Sequence, residues 1–140
     1  MAAILALTSS SSKASDEASV SDEARIFMEA YGEDLENHDR EAIIERYASS
    51  GAYIVFNGAS RYASKSDLES RYLEEWQGPI SFSWNELTID EVSSGVVLVV
   101  GTFNWESSDG IALYSYTGLL VGEGDGLRIK LENESILPTE

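Results

Sequence analysis

The stretch GVVLVVGTFNWESSDGIALYSYTGLLVGEGDGLRIKLENES, Gly95–Ser135, alternates apolar and polar residues and breaks at SSDG and GEGDG. Alternation with a period of two places successive side chains on opposite faces of a strand. The breaks carry glycine, which supplies the positive φ that tight turns need. Upstream, ISFSWNELTIDEV (Ile80–Val92) alternates in the same way and ends at SSG. Four strands joined by short turns make an antiparallel meander.

Working towards the N-terminus, the period changes. SDEARIFMEAYGEDLENHD reads as a helix with Ser21 as N-cap and Asp22 and Glu23 in the first turn, where carboxylates suit the helix dipole. Ala24, Phe27, Met28, Tyr31 and Leu35 form its apolar face, and Gly32 interrupts it at a cost of about 1 kcal/mol relative to Ala. DREAIIERYASS reads as a second, shorter helix capped by Asp39, with Ala42, Ile43 and Tyr47 on one side. AYIVFNG then reads as a strand. SKSDLESRYLEEW reads as a third helix, with Ser66 and Glu69 as a capping box, Leu68, Tyr72 and Trp76 as the apolar stripe, and Gly78-Pro79 as the stop. The reading is one α+β domain over residues 21–140, preceded by a disordered Ser/Ala-rich tail over 1–20.

The chain of 140 residues carries 25 acidic and 9 basic side chains, a net charge of −16. That balance argues against nucleic acid and against an anionic membrane surface as partners. With no cysteine, disulfides, thiolate catalysis and cysteine metal sites are excluded, and one histidine excludes a site of several imidazoles. No EF-hand or HExxH spacing occurs, and no cofactor is expected. No apolar run approaches the roughly 20 residues that span a bilayer. The expected location is cytoplasmic; the alternative is export, with AAILAL read as a truncated signal.

The helix pair with Tyr31, Leu35, His38-Asp39, Ile43-Ile44 and Tyr47, then GAYIVFNG, the third helix, VVGTFNW and GDGLRIKLENES resembles, in order and spacing, the nuclear transport factor 2-like or SnoaL-like family. Ketosteroid isomerase is its best-known enzyme. The resemblance spans about residues 21–137. It implies three N-terminal helices packed in the concave face of a curved, mainly antiparallel sheet, the cone fold. It implies a pocket between helices and sheet, and a homodimer through the sheet's outer face. Tyr31, eight residues before Asp39, matches the tyrosine that donates to the developing enolate in ketosteroid isomerases. The catalytic aspartate of those enzymes, sixteen residues after Asp39, is Val55 here, and their second acid has no match within IALYSYTGLLV. Steroid isomerase activity is therefore rejected.

The expected pocket is aromatic: Tyr31, Tyr47, Tyr53, Val55, Tyr72, Trp76, Phe103, Trp105 and Tyr116, with Asn133 to orient a polar group. Phe103 and Trp105 share strand parity. Glu132 and Glu134 are expected to face solvent, by parity with Ile129 and Leu131. His38 is read as a surface residue, Arg61 as a loop cation near the pocket mouth, and Arg46 and Arg71 as further polar candidates. The expected function is binding of a small, largely apolar molecule without catalysis. The alternatives are an enzyme using Tyr31 and Asn133 as donors, or a structural dimerisation domain whose pocket its own side chains fill.

Overall fold

The computed structural model describes residues 19–138. The expected tail lies outside them, apart from Ser19 and Val20, which start the first helix. Helix α1 spans Val20–Glu36, and Ser19, not Ser21, caps it by accepting from the Asp22 amide at 3.1 Å. Helix α2 spans Arg40–Glu45 behind the Asp39 cap. A hairpin of β1 (Ala52–Phe56) and β2 (Ala59–Ala63) follows. Helix α3 (Lys65–Ser70) runs into one wide π turn, Arg71–Glu75. The strands β3 (Ser81–Ser93), β4 (Val96–Ser107), β5 (Gly110–Glu123) and β6 (Gly126–Ile136) complete the chain.

Three expectations are corrected here. Ser64 caps α3, with Asp67 closing the capping box, because Asp67 reaches back to the Ser64 amide at 3.0 Å. The segment around Arg61 is strand β2, not a loop. Asn57-Gly58 forms a two-residue hairpin turn, Asn57 at φ 48° and Gly58 at φ 89°. Only α1 and α2 precede the sheet; α3 lies between β2 and β3.

The six strands form one curved sheet in the order β2-β1-β6-β5-β4-β3. β3 to β6 are the antiparallel meander, and β1 joins β6 in parallel. Three bulges interrupt the ladders. Between β3 and β4 the register skips Asn85 and Val92, and between β5 and β6 it skips Lys130. A bulge bends the strand and switches which alternate residues face the core. Phe82 and Trp84 face inward before Asn85, and Leu87 and Ile89 after it.

Helix α1 lies mainly across β3. Gly32 explains that closeness. A Cβ there would meet Trp84 Nε1 at 2.8 Å and Phe82 at 3.2 Å, and Trp84 Nε1 donates to the Met28 carbonyl at 2.9 Å. Among the described residues no helix is long and apolar enough to cross a membrane. Gly32→Ala should destabilise by about 1–3 kcal/mol despite alanine's better helix propensity, because the indole must leave its bond. Urea unfolding checks this; a gain in stability would show that Trp84 yields freely.

Candidate functional site

A cavity of about 250 Å³ lies between the sheet and the α3 region. Its floor is polar. Tyr31 and Tyr47 project from α1 and the end of α2, Tyr72 from the π turn, and Tyr116 from β5, all buried. Their hydroxyls converge on Glu132, which is 3% exposed. Tyr47 donates to Oε1 at 2.5 Å and Tyr116 to Oε2 at 2.7 Å. Tyr31 lies 3.2 Å from Oε1 and 3.1 Å from the Tyr47 hydroxyl. Tyr72 reaches the Tyr47 hydroxyl at 2.8 Å. With Tyr47's proton given to the carboxylate, Tyr72 must be the donor in that contact. The network is satisfied by an ionised Glu132, since four hydroxyl protons all have acceptors and no carboxyl proton is needed.

Glycine makes room for this floor. Gly118 stands opposite Glu132 on β5, and a Cβ there would meet the Tyr116 hydroxyl at 2.7 Å. The Tyr116 side chain folds over the bare backbone to reach the acid.

The two glutamates correct the outward placement. Skipping Lys130 pairs Ile129 with Leu120 but Leu131 with Leu119. Parity changes there, so Leu127 and Ile129 are buried, then Glu132, and Glu134 lines the cavity with it. Asn133 consequently lies on the other face, exposed and outside the cavity. Tyr53 is also outside: it is 51% exposed and packs on Tyr62 at 5.4 Å. On β1 the residues opposite Glu132 and Glu134 are Ile54 and Phe56; Val55, opposite Asn133, also borders the cavity.

The remaining expected residues, Tyr31, Tyr47, Tyr72, Trp76, Phe103, Trp105 and Tyr116, all line the space. Phe103 stacks on Tyr114 with centroids 5.0 Å apart and planes at 7°. Trp105 is half-buried and meets Trp76 edge to face at 6.3 Å. Phe56, Arg71, Trp76, Trp105 and Tyr114 keep some exposure and mark the mouth. Sequence reasoning missed Phe82, Trp84 and both acids as lining residues, and weighed Tyr114 with the other strand aromatics without placing it in the pocket. Tyr114 shares parity with Tyr116 and was legible.

The wall at the π turn is clamped from behind. Arg40 donates to the carbonyls of Tyr72, at 2.7 Å, and Trp76, and its guanidinium lies 5.2 Å over the Trp76 ring. His38 donates from Nε2 to the Pro79 carbonyl at 2.5 Å. The single histidine is therefore an exposed clip outside the cavity, not a reacting group.

Glu134 differs from Glu132 in having no side-chain hydrogen bond among the described residues. Burial, then the neighbouring Glu132, push its carboxyl from 4.5 up to about 8, against the opposing Arg71. Burial also raises Glu132, while the hydroxyls of Tyr47, Tyr116 and Tyr31 and the charge of Arg71 lower it. Burial and Glu132 hold Tyr31, Tyr47 and Tyr116 well above the ordinary tyrosine value. Both carboxyls of the pair thus lie above the ordinary carboxylate value, Glu134 at about 8. Among the described residues no three His, Asp or Glu side chains converge as a metal site would need.

In comparisons with known proteins the sequence matches no family model and no curated protein. Solved structures do match. An NTF-2 like protein of unknown function from Shewanella oneidensis MR-1 aligns over 81% of this chain and 97% of its own, at TM-score 0.72 and 16% identity. A ketosteroid isomerase-like protein from Erwinia carotovora atroseptica SCRI1043 covers 82% of this chain and 94% of its own, at TM-score 0.67 and 17% identity. A cystatin-like fold protein from Burkholderia xenovorans LB400 covers 86% and 94%, at TM-score 0.70 and 10% identity. The chain has the nuclear transport factor 2-like, ketosteroid isomerase-like fold.

The carboxyls give two expected outcomes. A carboxyl raised on folding favours the fold while protonated; its contribution is complete below about pH 4.5 and is lost as pH rises through about 8. Stability should fall across that window, and Glu134→Gln should become progressively more stable than the parent as pH increases. Denaturation curves that stay parallel at every pH would remove the assignment. Tyr116→Phe should cost about 1.5–3 kcal/mol, the worth of a hydrogen bond to a charged group, in the same assay at pH 7.

Proposed function

We propose that the cavity takes up a small, largely apolar molecule and moves a proton on or off it, with Glu134 as the proton carrier. One observation carries this reading: Glu134 lines the cavity half-buried beside Glu132, and its carboxyl has no hydrogen-bond partner among the described residues; burial and Glu132 push that carboxyl up to about 8. A group with a value near the working pH is suited to general acid–base catalysis. At neutral pH it is mostly protonated, so it begins as the acid. The aromatic wall supplies apolar contact for the body of the ligand. At about 250 Å³ the space is below the roughly 300 Å³ of a drug-sized site, so a molecule of about one ring fits it.

Tyr31 has a different role from the one expected. Its hydroxyl is engaged with Glu132 and Tyr47, so it holds the floor acid in place and is not free to donate to a ligand. Val55 adds only apolar wall. That favours the second reading, binding without turnover, and one experiment separates the two. Parent protein and Glu134→Gln are incubated with a small-molecule extract and followed by mass spectrometry and NMR. Under the proton-transfer reading the parent converts one component to an isomer or a dehydrated product, and the variant slows this at least about a hundredfold. A component that is retained by the parent and recovered unchanged leaves binding alone.

We propose further that two copies pair through the outer sheet face, where Leu98 and Val100 on β4 and Leu119 and Val121 on β5 leave apolar surface. Light scattering at micromolar concentration should report twice the protomer mass; a monomer mass would sink the pairing.

A further inference from the structure

We infer that the cavity's ligand is a carboxylic acid, held through its carboxylate by Arg71 at the mouth; this rests on the reading of the cavity as a small-molecule site.

The argument starts from which groups are already engaged. Glu132 and the four floor tyrosines satisfy one another. Trp84 is bonded to the Met28 carbonyl. Arg71 is different. It lines the cavity at the first residue of the π turn and remains half-buried. Among the described residues its guanidinium forms neither an ion pair nor a hydrogen bond, and its nearest described ring contact is Tyr72, at 5.8 Å. By contrast Arg40 and Arg46 are both bonded, Arg46 to Asp34 at 2.8 Å. A guanidinium presents parallel N–H donors in a fork that matches a carboxylate.

Charge decides between an acid and an amine. The aromatic wall alone suits a cation, through the ring faces. However, a cation confined in about 250 Å³ would share that space with Arg71, and the acid nearest the open volume holds its proton near neutral pH. Glu132 keeps its charge, but three hydroxyls surround it on the floor. An anion at the mouth therefore meets a free cation, while a cation meets a free cation and a neutral acid. With its carboxylate on Arg71, a one-ring acid lays its body between Trp76, Trp105 and Tyr114.

Three compounds of one shape test this: phenylacetate, phenylacetamide and benzylamine. Each is titrated against parent protein, Arg71→Met and Arg71→Lys by calorimetry, with circular dichroism as the check on folding. Phenylacetate should bind the parent saturably and lose at least about tenfold in affinity in Arg71→Met. Arg71→Lys should fall between, since it keeps the charge and loses the fork. Phenylacetamide should bind more weakly and not respond to Arg71. Benzylamine binding more tightly than phenylacetate, equal phenylacetate affinity in parent and variants, or no saturable binding of phenylacetate each overturns the inference. Since the readout is binding, a protein that binds the acid and converts nothing sinks the proton-transfer reading alone. A turnover that ignores Arg71 does the reverse.

Discussion

The ionised Glu132 is the constraint on which this cavity depends. A carboxylate taken out of water is costly unless its lone pairs are met by donors. Here three donors reach it, Tyr31 from α1, Tyr47 just after α2 and Tyr116 from β5, and Tyr72 of the π turn joins through the Tyr47 hydroxyl. One acid thereby ties three elements to β6 directly and the π turn at one remove. The same cluster keeps the floor open, because four ring bodies radiating from a polar centre cannot collapse on one another as aliphatic side chains would. The cost of holding a second carboxyl beside the first shows at Glu134, which burial and Glu132 raise to about 8.

Rigidity behind the wall matters as much as the floor. The π turn presents Arg71, Tyr72 and Trp76 to the cavity, and its carbonyls at Tyr72 and Trp76 would otherwise be loose acceptors. Arg40 takes both, and His38 secures the following Pro79. Lys65 similarly ties the end of α2 to the start of α3, donating to Ile44 and Tyr47 carbonyls at 2.7 and 2.9 Å. A site whose supporting carbonyls are satisfied holds its side chains to narrow positions, which acid–base chemistry requires.

Much of this was legible in the sequence. Helical spacing found the faces carrying Tyr31, Tyr47, Tyr72 and Trp76, and strand alternation found Phe103, Trp105 and Tyr116, because both depend on local periodicity. The hairpin partner β2 was missed although Asn57-Gly58 is a strong local turn signal. The inward acids were hidden for another reason. A bulge is settled by how two strands pair, so nothing local to LRIKLENES dictates that Lys130 is the extra residue. The one trace is Ile136, an apolar residue out of phase with Leu127, Ile129 and Leu131. Asn133 was misplaced by the same slip, and Tyr53 by the assumption that a strand aromatic faces the core.

Lys130 also shows that the chamber's chemistry is a matter of pairing as much as of residue identity. Drawn into the ladder opposite Leu119, it would shift Leu131 opposite Gly118, turning Leu131 and Asn133 inward and Glu132 and Glu134 outward. Its deletion would instead leave Leu131 opposite Leu119 and both acids inside. The same string of residues thus encodes two interiors, one acidic and one of leucine and asparagine, and a single unpaired position selects between them.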